Sequence, residues 1–181
     1  WAMFDFANQA YTLLIITMVF GELFTTVIVG ERNDGYRLAN FLWSLALAIS
    51  YLLVVMIAPL CGAIMDYRAE KKRFLLFSYM ATVATTAMLY FVEPGYVVLG
   101  FLLIVLSNYA YSMGESFIAA FLPELGPPDA LGKISGFGWA LGYIGGLLAA
   151  GFTLIVLGEA TADTFERIRW VGPFAAGFFL V

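Results

Sequence analysis

Apolar residues dominate this chain in long runs that charged and turn-forming residues interrupt at intervals. A helix needs about 20 apolar residues to cross a bilayer. Measured against that length, the runs predict six spans, the last of them truncated: Phe4–Val29, Asn40–Met65, Phe74–Val92, Tyr96–Leu122, Gly136–Leu157 and Trp170–Val181. The expected fold class is therefore an all-α membrane protein with six transmembrane helices.

Turn-forming residues support these boundaries. Glu93-Pro94-Gly95 predicts a tight turn between the third and fourth spans. Pro123 and the pair Pro127-Pro128 cannot lie inside one regular helix, so the fourth span is expected to end before them. Ser135 is well placed to cap the start of the fifth span.

Composition excludes an ordinary soluble domain. Hydrophobic residues make up 62% of the chain and charged residues 12%, against roughly 45–50% and about 25% in soluble domains. The net charge of −4 depends on a few loop residues and indicates no nucleic-acid partner. Cys61 lies in an apolar run and the chain has no histidine, so neither a metal nor another cofactor is expected. The chain starts at Trp1 and ends within an apolar run, and both ends are expected to continue in a longer protein.

Orientation follows from the cations in the loops, because cytoplasmic loops are richer in Lys and Arg. The second and fourth loops hold Arg68, Lys71, Lys72, Arg73 and Lys133, whereas the first and fifth hold Arg32, Arg37, Arg167 and Arg169. The totals are close, but the cations are concentrated in the second loop. We therefore expect the second loop, the fourth loop and the start of the chain to be cytoplasmic.

Polar residues recur on one face of the first span and of the fourth. Asp5, Asn8 and Thr12 follow helical spacing, as do Asn108, Ser112 and Glu115. A carboxylate within a span is costly unless it faces a cavity or a partner. The candidate cavity for a solute, and for a coupled proton, comprises Asp5, Asn8, Tyr11, Asn108, Ser112 and Glu115.

The alternative interpretation is that these side chains only join helices by hydrogen bonds. It explains Thr12 and Ser112 well, whereas the cavity explains Glu115 better. Asp5 lies near the predicted cytoplasmic end and can also cap the helix start, and Glu22 can reach the outer interface. A proton relay in these helices would use carboxylates, since histidine is absent.

Glycines recur at every fourth position of the fifth span, at Gly138, Gly142 and Gly146. Small residues at this spacing let two helix backbones approach closely. The spacing is compatible both with static packing and with helices that rock against each other.

In the second loop, Gly62 and Asp66 are followed by a basic cluster. This motif resembles the signature between the second and third helices of the major facilitator superfamily. The resemblance implies a cytoplasmic gating clasp formed by Gly62, Asp66, Arg68, Lys71, Lys72 and Arg73. The chain departs from the motif at Tyr67, Ala69 and Glu70, so the clasp is expected to be wired differently.

Four further segments are informative, namely Trp1–Tyr11, Ala58–Gly62, Phe121–Leu125 and Ile134–Gly146. Within the superfamily, they resemble segments of the autophagy-related vacuole effluxer-like family and occur in that family's order. Ala119 stands where family members often have an asparagine, which puts the identity of the solute in doubt.

This resemblance implies that the chain is the N-terminal six-helix half of a twelve-helix secondary transporter working by rocker-switch alternating access. Its partners would be the bilayer, a small solute and the second six-helix half. Fungal members are associated with amino-acid efflux from the vacuole, so the membrane would be vacuolar in a fungus and the plasma (inner) membrane in a bacterium. An intramembrane enzyme is disfavoured because these helices lack a recognisable catalytic set. A non-transporting receptor or scaffold remains an alternative, because the clasp departs from its motif.

Overall fold

The structure is a computed structural model that describes residues 1–30, 35–68, 70–157 and 161–180. The loop cation Arg32, the motif residue Ala69 and the last residue of the predicted sixth span, Val181, lie outside these residues. The described residues form helices α1 (Ala2–Val29), α2 (Arg37–Arg68), α3 (Lys71–Met88), α4 (Val97–Ala119), α5 (Leu131–Phe152), α6 (Phe165–Ile168) and α7 (Val171–Phe179).

Five of the described helices are long and apolar enough to cross a membrane, namely α1 to α5. The all-helical membrane fold expected from the apolar runs is thereby confirmed. Burial is uneven, since 50% of the most apolar window of α4 is buried but only 6% of that of α2. The centre of the bundle is therefore built on α4 and α1, while α2 presents an apolar surface outward.

Helix contacts repeat in a regular way. Helix α1 packs on α5 as α4 packs on α2, and α3 packs on α4 as α7 packs on α1. Exchanging α1, α2 and α3 for α4, α5 and α7 therefore reproduces the contact pattern. Since α1 and α4 also run in opposite directions, the bundle has the arrangement of two inverted three-helix units, which sequence identity does not reveal.

One end of the bundle carries the second and fourth loops and the start of the chain. The Trp1 indole nitrogen donates to the carbonyl of Ile118 at 3.3 Å. The ammonium group of Lys71 lies 2.6 Å from the carboxylate of Glu124, just beyond α4. The start of α1, the start of α3 and the end of α4 thus lie together, at the end predicted to be cytoplasmic.

Arg169 ties the opposite end together. Its guanidinium donates two hydrogen bonds to the carbonyl of Tyr90, at 2.8 and 3.0 Å, and lies 4.3 Å from the centre of the Tyr90 ring. It also pairs with Glu93 at 3.5 Å and Glu166 at 3.3 Å. This buried cation is therefore fully paired, and it fixes the start of α7 against the end of α3.

The predicted turn at Glu93-Pro94-Gly95 is confirmed. Gly95 has a φ of +88°, and the amide of Tyr96 donates to the carbonyl of Glu93 at 2.9 Å. The amide of Gly95 also donates to the carbonyl of Ile28 at 2.9 Å, which joins this turn to the end of α1. Positive φ at the third turn residue explains the glycine.

The prediction that Ser135 caps the fifth span is wrong. Helix α5 begins at Leu131 with Ala130 at its N-cap, so Ser135 lies within the second helical turn. The amide of Ala130 donates to the carbonyl of Pro127 at 2.9 Å, and the helix starts directly after this turn. Apolarity marks the part of a helix in the membrane, whereas this helix begins among loop residues.

Candidate functional site: a polar cavity between α1, α4 and α5

The polar stripes of α1 and α4 face each other. The side-chain amide of Asn8 donates to the carboxylate of Glu115. Thr12 lies four residues after Asn8, and Tyr111 lies four residues before Glu115. The hydroxyls of Thr12 and Tyr111 are 2.7 Å apart. Two layers of polar contacts therefore join the helices, one helical turn apart.

A cavity of about 300 Å³ lies beside these contacts. Its walls come from four helices, which contribute Asp5, Asn8, Gln9, Thr12, Tyr51, Tyr111, Ser112, Glu115 and Trp139. This volume lies at the lower limit of ligand pockets in proteins, about 300 Å³. Of the six residues predicted to form a cavity, Asp5, Asn8, Ser112 and Glu115 line this one.

Tyr11 and Asn108, by contrast, lie behind the cavity wall. The hydroxyl of Tyr11 lies 2.9 Å from that of Ser107, and its ring stacks on Tyr111 with centroids 4.4 Å apart. The amide of Asn108 donates to the hydroxyl of Ser50 on α2 at 2.6 Å. Both residues are buried, and they join α4 to α1 and to α2 rather than lining the cavity.

Four lining residues lie outside the polar stripes that the sequence indicates, namely Gln9, Tyr51, Tyr111 and Trp139. Tyr51 and Trp139 lie in the apolar runs of α2 and α5, where an aromatic ring does not stand out from its neighbours. Gln9 lies beside the polar stripe of α1 rather than on it. Glu22, the third carboxylate of the predicted spans, is exposed and lies away from this cavity.

Helix α5 reaches the cavity because its glycines face α1. A Cβ atom on Gly138 would overlap the Asp5 carboxylate and the Trp1 ring, and one on Gly142 would lie 3.2 Å from the carbonyl oxygen of Asp5. A Cβ on Gly146 would lie 2.7 Å from Leu13. The glycines therefore give Asp5 the space in which its side chain lies.

The basic cluster of the second loop forms two ion pairs among the described residues. Lys71 pairs with Glu124 and also donates to the carbonyl of Ala120 at 3.4 Å, while Arg73 pairs with Glu70 at 2.8 Å. Among the described residues, Asp66, Arg68 and Lys72 form no ion pair. A Cβ on Gly62 would meet no described atom within 4 Å, so no close helix approach within this bundle requires that glycine.

Glu124 is the gating candidate that sequence reasoning missed. It lies in the Phe121–Leu125 segment, which was singled out only for its resemblance. The charge at Glu70, a departure from the motif, is matched within the loop by Arg73. One cation of the cluster therefore pairs with a residue just beyond α4, and another pairs with a residue of its own loop.

Comparison with known proteins identifies the family. The family model described as "Vacuole effluxer Atg22 like" matches residues 43–133, which is half of the chain. The chain belongs to this family. The match runs from α2 through the basic loop, α3 and α4 to the start of α5, and so includes Tyr51, Tyr111, Ser112 and Glu115 of the cavity.

A bacterial relative extends the similarity of this Atg22-like chain across nearly its whole length. The chain is 32% identical over 164 residues to the "Uncharacterized MFS-type transporter YxiO" of Bacillus subtilis strain 168. The matched region covers 91% of this chain and 38% of that relative, so the chain spans well under half of the relative's length. No solved structure matches the chain. This Atg22-like chain is thus a multi-pass membrane protein of a major facilitator transporter family.

Proposed function

We propose that the protein is a secondary active transporter whose solute binds in the cavity between α1, α4 and α5. The observation that carries this proposal is the set of polar groups gathered there, with two carboxylates, Asp5 and Glu115, on facing helices. Ionisable groups within membrane spans mark solute and ion pathways in transporters. Polar contacts needed only for packing would not require two carboxylates.

Rocker-switch alternating access is the mechanism that we propose for it. The glycine face of α5 lies close against α1, since a Cβ atom on Gly142 would lie 3.2 Å from the carbonyl oxygen of Asp5. Such close contact between small residues suits helices that shift relative to each other. The pair of Lys71 and Glu124 is partly exposed, and such pairs contribute only about 0–1 kcal/mol. A bond of that strength forms and breaks readily as a gate opens.

Amino acids are the solute class we propose to test first, because the fungal members that the chain resembles are associated with amino-acid efflux from the vacuole. The family's description as vacuole effluxers supports export. The experiment is proton-driven uptake of a mixed amino-acid panel by the full-length protein in liposomes. Wild type is compared with Glu115→Gln, which retains the size of the side chain, and with Glu22→Gln as a matched control outside the cavity.

We expect Glu115→Gln to abolish uptake or its dependence on pH, while Glu22→Gln behaves as wild type. Uptake that is unchanged in Glu115→Gln would make this carboxylate a packing residue. Absence of uptake of any panel member by the folded wild type would argue against amino acids as the solute and favour a receptor or scaffold.

A further inference from the structure

Two buried hydrogen-bond acceptors of residues that line the cavity have no partner among the described residues. Asn8 is only 4% exposed, and its side-chain amide nitrogen is committed to Glu115, while its carbonyl oxygen has no partner among the described residues. The Oδ2 atom of Asp5 is likewise buried without a partner. A buried acceptor is rarely left unpaired in a folded protein. Because these two oxygens belong to residues that line the cavity, they point to a donor supplied by a ligand.

The charge of the cavity specifies the donor further. Its lining contains two carboxylates and no lysine or arginine. An anionic group would therefore face only like charges, and a neutral hydroxyl would leave the carboxylates uncompensated. A protonated amine has three N–H donors and no acceptor, which complements the two unpaired oxygens and the carboxylate charge together.

The aromatic residues of the lining suit the same group. Tyr51 and Trp139 are 49% and 59% exposed, and with Tyr111 they complete the cavity wall. Aromatic rings attract cations that lie over their faces, and tryptophan does so most strongly. Such rings offer little to a carboxylate, which their negative faces repel.

We propose that this cavity binds the protonated amine end of the solute, with Asp5 and the carbonyl oxygen of Asn8 accepting its N–H groups. Glu115 supplies a second negative charge and, through its bond with Asn8, turns that carbonyl oxygen away from itself. This inference rests on the proposed transport function and specifies the chemistry of the solute. The rest of the solute is left to groups outside this bundle.

Three probes that share one aromatic body separate the possible ligand classes. They are 2-phenylethylamine, its N-trimethylated form and 3-phenylpropionate. Binding to the purified full-length protein is measured by isothermal titration calorimetry, with and without sodium chloride. We expect the primary amine to bind, the trimethylated form to bind at least about tenfold more weakly because it lacks N–H donors, and the carboxylate not to bind.

The variants test whether the amine uses the named atoms. Asp5→Asn and Asn8→Leu should each weaken binding of 2-phenylethylamine by about tenfold or more, as expected for loss of a hydrogen bond to a charged group. Asn108→Leu is the matched control, since Asn108 also has an unpaired carbonyl oxygen but lies outside the cavity. Asp5→Asn preserves the shape of the side chain, so it tests the proposal even if Asn8→Leu fails to fold.

Several outcomes would overturn the proposal. These are equal binding of the amine and the carboxylate, unchanged affinity in Asp5→Asn, and displacement of the amine by sodium ions at millimolar concentration, which would indicate a sodium site. The transport proposal fails separately: amine binding without any flux in liposomes would leave the ligand assignment intact and refute transport. Flux of only those solutes that lack an amine would support transport and refute the amine assignment.

Discussion

At the scale of single residues, two stacked tyrosines have different roles at the cavity. Tyr11 lies behind the cavity wall, whereas Tyr111 is part of it. Tyr11 is buried, 1% exposed, with its hydroxyl 2.9 Å from that of Ser107. Tyr111 lines the cavity and its hydroxyl lies 2.7 Å from that of Thr12. Their rings are 4.4 Å apart and nearly parallel, at 21°. The first tyrosine therefore positions the second.

Removing each hydroxyl should separate these roles. Tyr11→Phe deletes one hydrogen bond between helices, and such bonds in membrane proteins contribute about 0.6 kcal/mol on average. We expect a loss of stability of that order with an unchanged KM for uptake. Tyr111→Phe should raise the KM because its hydroxyl borders the solute site. Unfolding in mixed detergent micelles and uptake kinetics measure the two effects, and a KM that rises more in Tyr11→Phe would contradict the assignment.

Sequence spacing predicted four of the lining residues of this site but wrongly included Tyr11 and Asn108. Asp5, Asn8, Ser112 and Glu115 were found because polar residues at helical spacing stand out in apolar runs. Asn108 has the same spacing, yet it turns toward Ser50 on α2. Residues three and four positions apart lie on the same side of a helix, but their side chains spread over a broad part of its surface. Helix α4 contacts α1 on one part of that surface and α2 on another. Only the packing of the helices decides which neighbour an edge residue meets.

At the scale of elements, the contact of α1 with α5 requires glycine where the two backbones come closest. A Cβ atom on Gly145 would overlap the carbonyl oxygen of Phe6. On the same helix, a Cβ on Gly136 or Gly151 would meet no described atom within 4 Å. The glycines of α5 are therefore not equivalent, although the chain presents them as one series.

Alanine substitutions should reveal this difference. Gly145→Ala forces α5 away from α1, and overpacking of this kind costs about 1–3 kcal/mol. Gly136→Ala adds the same methyl group to open space and should be neutral or slightly stabilising, since alanine favours helix over glycine. Thermal unfolding of the purified full-length variants measures both. Equal effects at the two positions would show that the close contact does not limit stability.

Apolar runs predicted the number and order of the long helices because about 20 residues in lipid must satisfy their own backbone. They did not predict the local form of α1, in which Tyr11–Met18 and Phe24–Val29 are wound as wider π-helical turns. Nor did they predict where α5 begins. The start of α5 follows the turn at Pro127, and hydropathy carries no signal for either feature.

At the scale of the whole molecule, contacts between the loops at each end of the bundle mean that all loops of one end lie on the same side of the membrane. Lys71 and Glu124 join the second loop to the end of α4, and Trp1 joins the same end through Ile118. The turn at Gly95 joins the end of α1, and Arg169 joins the end of α3, at the other side. Because each group of loops is linked, placing one loop in the cytoplasm places them all.

Chemical labelling decides which side is cytoplasmic. Position 67 is well suited for the first end, since Tyr67 is 92% exposed, and position 96 for the second, since Tyr96 is 54% exposed. Each is changed to cysteine in a cysteine-free background of the full-length protein, in which Cys61 and any further cysteine are replaced by serine. The protein is expressed in the inner membrane of a bacterium, and a membrane-impermeant maleimide is then applied to intact and to permeabilised cells.

The positive-inside rule predicts that Tyr96→Cys is labelled in intact cells and Tyr67→Cys only after permeabilisation. The loop cations are nearly balanced in total, so the prediction depends on the concentration of Arg68, Lys71, Lys72 and Arg73 in one short loop. Labelling in the opposite order would invert the bundle. The clasp between Lys71 and Glu124 would then close the outer side, and the cavity carboxylate Asp5, near the start of α1, would lie toward the outside.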